Sequence, residues 1–106
     1  MEYTEKLLAI FDKIGHRGAL EQLLEECGEL CAVGAKQLRI FRGVNYTPVT
    51  LSENSNNLIE EAADVSLCLD LFCIAFFANA EATKARFTEI KAQKLARWLA
   101  RLEIQE

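Results

Sequence analysis

Two pairs of acidic residues, each with i, i+3 spacing, are the residues of this sequence best suited to chemistry. The first pair is Glu26 and Glu29, and the second is Glu61 and Asp64. Residues three apart lie on one face of a helix, so each pair presents two carboxylates side by side. Both pairs lie in strongly apolar stretches, where a carboxylate is costly unless something neutralises it. Two such helices packed together would form a site for a hard divalent cation, and Mg²⁺ is the first candidate.

Basic and amide side chains lie at positions that suit a phosphate ligand near such a site. On the last predicted helix Lys94, Arg97 and Arg101 follow i, i+3, i+7 spacing. Gln22 and Lys36 lie along the same helix edge as the first acidic pair. Carboxylates that hold cations, together with bases that take the remaining phosphate charge, predict the binding of a metal-bound polyphosphate. The alternative for the basic stripe is a solvated face near a helix end, where cations suit the helix dipole.

Histidine-dependent and cysteine-dependent sites have little support. The chain has one histidine, His16, in a predicted turn, and it has no C-x-x-C motif. Structural zinc sites, di-iron bundles with Glu-x-x-His pairs, and nucleophilic triads therefore lack their usual ligands or base. We expect the cysteines to be buried free thiols in a reducing compartment. They are Cys27, Cys31, Cys68 and Cys73.

Length and composition predict one compact domain over residues 1–106. Half of the residues are apolar and about a quarter are charged, with a net charge of −4. The basic residues are spread along the chain, so we expect no binding of nucleic acid polymers or anionic membranes. The first seven residues contain two acids and no apolar core, which is unlike a signal peptide. A cytoplasmic location is therefore predicted.

Apolar periodicity predicts an all-α fold, a four-helix bundle-like subunit. The helices are expected at about 3–14, 19–41, 51 to 77 or 79, and 81–103, with Gly15 and Gly18 bracketing the first boundary. A capping box, Thr50-Leu51-Ser52-Glu53, is expected to open the third helix. The second helix is expected to turn one apolar stripe towards the core. Its members are Leu20, Leu23, Leu24, Cys27, Cys31, Gly34, Leu38 and Phe41.

The second half of the third helix, residues 65–78, is apolar nearly all round. Fourteen residues that include a charge are too few to span a membrane. A helix that is apolar on every side must be covered on every side, and a chain of this size has too few other helices to do so. The helical hairpin core is therefore predicted to be completed by oligomerisation, as a homodimer or tetramer.

These paired acidic motifs resemble the MazG-like members of the all-α nucleoside triphosphate pyrophosphohydrolase superfamily. The resemblance covers most of the chain. Segments 22–30 and 57–65, Lys36 and the basic helix at 94–102 carry it. It implies a Mg²⁺-dependent hydrolase, with Mn²⁺ as a substitute, that converts an NTP or dNTP and water into the monophosphate and pyrophosphate. It also implies dimers or tetramers that act in clearing the nucleotide pool.

The site residues follow from combining the resemblance with this chemistry. Two acidic pairs, Glu26, Glu29, Glu61 and Asp64, would hold the metal, and Glu25 or Glu29 would take a proton from water. The substrate would contact Gln22, Lys36, Lys94, Arg97 and Arg101. Base selection is expected from the loop at 44–51, the first helix and a partner subunit.

Two alternatives remain open at the level of sequence. One is phosphoribosyl-ATP pyrophosphohydrolase, whose second motif is close to Glu61-Ala62-Ala63-Asp64. The other is a non-catalytic helical oligomerisation or interaction protein, in which the acids are only a surface feature.

Overall fold

The computed structural model describes residues 1–43, 47–77 and 80–105. Over these residues the protein is all-α, with 88% helix, three helices and no strand. The helices are α1 (Tyr3–Arg42), α2 (Leu51–Phe77) and α3 (Glu81–Arg101). They form two compact units, Met1–Ala75 and Phe76–Glu106, which are described separately below. The predicted all-α class is confirmed.

A single residue interrupts α1. Gly15 has φ 70° and ψ −174°, a conformation that only glycine adopts readily. Three residues on, a Cβ built at Gly18 would lie 2.6 Å from the Cβ of Ile14, so a glycine lets Ile14 pack across the break. The two helices predicted at 3–14 and 19–41 are thus two segments of α1, separated by one non-helical residue instead of a turn.

Local signals in the sequence fix the end of α1 and the start of α2. Gly43 adopts the left-handed conformation, and its N–H donates to the Arg39 carbonyl at 2.9 Å. Thr50 Oγ1 accepts a hydrogen bond from the Glu53 N–H at 3.1 Å, and the Thr50 hydroxyl donates to Glu53 Oε1 at 3.0 Å. Thr50 therefore caps the start of α2 as predicted, and Glu53 pairs with its hydroxyl instead of its backbone N–H. Of the loop predicted to take part in base selection, residues 44–46 lie outside the described residues.

A buried amide network joins α1 to α2. Asn54 is fully buried, and its Nδ2 donates to Gln37 Oε1 at 2.6 Å and to the Val33 carbonyl at 3.2 Å. Gln37 Nε2 donates in turn to Ser55 Oγ at 3.0 Å. The end of α1 therefore lies beside the start of α2, and the two helices run antiparallel.

The apolar core of the first unit lies towards the other end of this hairpin, where the N-terminal segment of α1 packs. Its buried members are Leu7, Ala19, Leu71 and Ala75, with Phe11 and Ile74 packed against them. Nearby, the Tyr3 hydroxyl donates to Asp70 Oδ2 at 2.5 Å. The N-terminal segment thus completes the core by packing against α1 and the second half of α2.

The prediction that one apolar stripe of the second helix faces the core is wrong for much of that stripe. Leu24, Leu38 and Phe41 are 62%, 50% and 65% exposed, and Leu20 and Cys31 are exposed too. The face that meets α2 is instead the one that carries Val33 and Gln37. This helix has more apolar positions than one neighbouring helix can cover, so periodicity alone does not select the buried side.

The second unit consists mainly of α3, which buries no residue. Phe77 and Phe87 pack with ring centroids 5.0 Å apart, and Lys91 Nζ lies 5.6 Å from the Phe87 centroid. The apolar side chains of α3 are largely uncovered, since Leu95 and Trp98 are both more than half exposed. Among the described residues, no helix combines the length and apolar character that crossing a membrane requires.

Candidate metal centre

The antiparallel packing of α1 and α2 brings the two acidic pairs together. Glu26, Glu29 and Glu61 each offer a carboxylate oxygen, and these three oxygens lie within 4.8 Å of one another. Asp64 is half-buried, and its charge acts on both Glu26 and Glu61. The i, i+3 spacing gives each helix one acidic face, and the hairpin turns the two faces towards each other.

The electrostatics of this cluster disfavour the ionisation of all four carboxyl groups. Loss of hydration raises the pKa of Glu26 to about 7, and the negative charges of Glu29, Asp64 and Glu61 add to the effect. The pKa of Glu61 is also raised, again by loss of hydration first and then by Glu29 and Asp64. No lysine or arginine among the described residues forms an ion pair with these groups.

Two oxygens of the cluster lack hydrogen-bond partners. Glu26 Oε2 and Glu61 Oε2 are both buried, and neither accepts a hydrogen bond within the described chain. Buried acceptors without partners are rare in native proteins, because each one loses its water without compensation. Oxygen ligands of this kind are those that Mg²⁺ and Mn²⁺ prefer, so the donor set fits the predicted cation.

The remaining predicted site residues are exposed, as Glu29 of the cluster is, whereas Glu26 and Glu61 are half-buried. Glu25 precedes Glu26 on the solvent side of α1, and Gln22 lies one turn before Glu26. Lys36 is exposed two turns after Glu29. The predicted phosphate-binding residues of α3 are exposed and belong to the second unit, so their place in the site stays a prediction. They are Lys94, Arg97 and Arg101.

A cavity of about 290 Å³ lies beside the cluster in the first unit. It is mainly apolar, and the Gln22 amide is its one polar side chain apart from a thiol. Gln22 precedes Glu26 by one helical turn, and Cys68 follows Asp64 by one turn, so the cavity adjoins the acidic site. Its lining residues are Leu7, Ile10, Ile14, Gln22, Leu67, Cys68 and Leu71.

Sequence reasoning missed two features around the site. Burial raises the pKa of the Cys68 thiol, and the charges of Glu26 and Asp64 raise it further. The i, i+4 spacing of Asp64 and Cys68 was the sequence signal that could have placed this thiol beside the acidic site. The second feature is the buried Asn54, seven residues before Glu61 and hence on the same helix face. The prediction that the cysteines are buried is wrong, since Cys31 is exposed and Cys27, Cys68 and Cys73 are only half-buried.

Comparison of the chain with protein-family models, curated proteins and solved structures found no match. The resemblance to the MazG-like proteins therefore remains a prediction, carried by the acidic motifs themselves.

Proposed function

We propose that the protein is a Mg²⁺-dependent nucleoside triphosphate pyrophosphohydrolase, which converts an NTP or dNTP and water into the monophosphate and pyrophosphate. The observation that carries this proposal is the cluster of Glu26, Glu29 and Glu61, with two carboxylate oxygens that lack partners. Such a cluster is unfavourable in an empty protein and favourable around cations. A function that requires bound cations accounts for its presence.

Glu26, Glu29, Glu61 and Asp64 would hold the metal ions between the two helices. When bound, Mg²⁺ supplies positive charge against the polyphosphate and acidifies a water molecule. The protein must then accept a proton from that water, and a carboxylate at the edge of the cluster suits this role. Glu29 lies within the cluster and Glu25 lies beside it on the open side, so both are candidates.

The nucleoside part of the substrate would enter the apolar cavity beside the cluster. At about 290 Å³, the cavity is close to the lower end of the range for small-molecule sites, which suits one small planar group. The Gln22 amide can both donate and accept a hydrogen bond, so it can read a polar edge of a nucleobase. The triphosphate would extend towards the acidic cluster, with Lys36 and the basic residues of α3 as further contacts.

Self-association belongs to the same proposal, as a homodimer or tetramer. In the predicted all-apolar stretch of α2, Leu71 and Ala75 are buried, but Leu67 and Leu69 are 46% and 40% exposed. Exposed apolar area of this extent in so small a chain is more typical of an oligomer subunit than of a monomer. The enzyme would then act on the cytoplasmic nucleotide pool as a helical oligomer.

A panel of nucleotides with Mg²⁺ tests the activity directly, provided that pyrophosphate and orthophosphate are resolved. We expect pyrophosphate as the released product and no turnover in excess chelator. Orthophosphate as the primary product would contradict cleavage between the α and β phosphates. Preference for phosphoribosyl-ATP would move the assignment to that reaction, and no turnover of any nucleotide would favour a non-catalytic helical protein.

A further inference from the structure

The outer face of α1 carries an apolar row that no other part of the first unit covers, over the residues that the structure describes. The row alternates steps of four and three residues, the spacing of a helix that packs along another helix. All five members are exposed, and the two leucines at its ends are 62% and 50% exposed. We define the outer row as Leu24, Gly28, Cys31, Ala35 and Leu38.

The outer row lies opposite the face of α1 that meets α2. Val33 and Gln37 lie on the face that meets α2, where both accept hydrogen bonds from Asn54. Val33 follows Cys31 by two residues and Gln37 follows Ala35 by two residues. Two residues correspond to a rotation of about 200° around the helix. The middle of the row is made of small residues, and a Cβ built at Gly28 meets nothing within 4 Å. A second helix could therefore approach this face closely, since the distance between helix axes depends on the side chains at the contact.

The two leucines at the ends of the row are equidistant from Cys31. Leu24 lies seven residues before Cys31 and Leu38 lies seven residues after it. If a second copy packed its α1 antiparallel with the two Cys31 residues at the crossing point, each Leu24 would meet the partner's Leu38. This arrangement is the isologous contact that a two-fold dimer requires, in which each residue pair occurs twice.

One flank of the outer row carries acidic residues before Cys31 and basic residues after it, so antiparallel packing of two copies would pair opposite charges. Glu21 and Glu25 lie ten and six residues before Cys31, whereas Lys36 and Arg39 lie five and eight residues after it. A two-fold axis brings the same flank of both helices together, so Glu21 would lie beside the partner's Arg39. A parallel two-fold pairing would instead put this flank on opposite sides of the two helices, so these ion pairs could not form.

Glu21 is available for such a contact. Its only ion pair in the described chain is with Arg17, at 2.8 Å, and the two side chains are 61% and 92% exposed. An exposed pair of this kind contributes little to stability, so exchange for a contact across an interface costs little.

We propose that the outer row is a two-fold interface, in which α1 of a second copy packs antiparallel across Cys31. The partner is a second copy of this chain, because the apolar spacing and the charge pattern of one copy match those of another copy packed antiparallel to it. The proposal is independent of the enzymatic activity, since none of its tests measures turnover.

Crosslinking through the native cysteines tests the crossing point. A short bismaleimide should link two chains of the wild-type protein at micromolar concentration, because the two Cys31 thiols face each other across the axis. Cys31→Ser should abolish the covalent dimer, whereas Cys68→Ser, on α2, should leave it unchanged. A covalent dimer that persists in Cys31→Ser, or its absence in wild type, would overturn the proposed crossing.

Charge reversal tests the orientation. Glu21→Arg alone and Arg39→Glu alone should each weaken self-association about tenfold, because each changed pair occurs twice. An equimolar mixture of the two variants should form heterodimers of near wild-type strength, as measured by sedimentation and native mass spectrometry. Glu5→Arg, near the start of α1, is the control and should associate like wild type. Unchanged association of both variants, or no preference for the heterodimer, would refute the antiparallel interface.

Discussion

Glu29 of α1 and Glu61 of α2 place carboxylate oxygens within 4.8 Å of each other, although 32 positions separate them in the sequence. Two like charges at this distance destabilise the metal-free protein unless one group takes up a proton. The cluster therefore links three measurable quantities, which are stability, proton uptake and cation binding. The first three predictions follow from this linkage.

The metal-free protein should lose stability as pH rises from about 4.5 to about 7. The pKa of Glu26 is about 7 in the folded protein and near 4.5 in the unfolded chain, so the folded state binds more protons in this window. The stabilising contribution is fully present below the unfolded pKa and is lost as pH passes the folded pKa. Thermal melts in chelator should show this decline, and Glu26→Gln should flatten it. If Glu26→Gln shows the same pH dependence of thermal stability as the wild type, the decline is not due to Glu26.

Cation binding should reverse the loss of stability at neutral pH. Mg²⁺ or Mn²⁺ at a hundred times its Kd should stabilise the folded state by about 2.7 kcal/mol. Binding at pH 6 should also release protons, because the pKa of Glu26 is raised and the ligands must be deprotonated. Calorimetry in two buffers of different ionisation enthalpy measures this release. No dependence on the buffer would argue against Glu26 as a ligand.

Removal of one ligand should separate activity from folding. Glu29→Ala and Asp64→Ala should lower turnover at least about a hundredfold, while the thermal stability in chelator stays equal or rises. Glu60→Ala is the matched control, since Glu60 is exposed and adjacent to Glu61 on the same helix. Full activity in either ligand variant would rule out the proposed mechanism, and equal loss in Glu60→Ala would point to a general charge effect.

The acidic site was predictable because the position of a side chain around a helix depends only on its spacing from nearby residues. Spacing alone places Glu26 with Glu29 and Glu61 with Asp64, and Gly43 and Thr50 mark a short connection between their helices. The outward direction of Leu24 and Leu38 was not predictable, since apolar residues surround much of α1 and only tertiary packing decides which are buried. The cavity also depends on the break at Gly15, whose positive φ no periodicity reveals.

The buried amide pair should set the stability of the hairpin. Asn54→Ala would leave Gln37 Oε1 without its donor at a buried position, and we expect a loss of about 1–3 kcal/mol. The double variant Gln37→Leu with Asn54→Leu removes both partners, so it should recover most of this loss. Denaturant titration measures both changes. Additive losses in the double variant would show that the two amides are not coupled.

The basic stripe of α3 should contribute to binding of the triphosphate and not to binding of the metal. A triphosphate carries more negative charge than two Mg²⁺ cancel once the carboxylates are counted, so cationic side chains are needed as well. Lys94 lies nearest the middle of its helix among the three basic residues of the stripe and is the best single test. Lys94→Ala should raise the KM for nucleotide several-fold, while Mn²⁺ affinity without nucleotide stays unchanged. Lys84→Ala, on the same helix but outside the stripe, controls for the loss of one positive charge. If Lys94→Ala and Lys84→Ala behave alike, with KM and kcat unaltered, the stripe is a solvated face and the phosphates are bound by other groups.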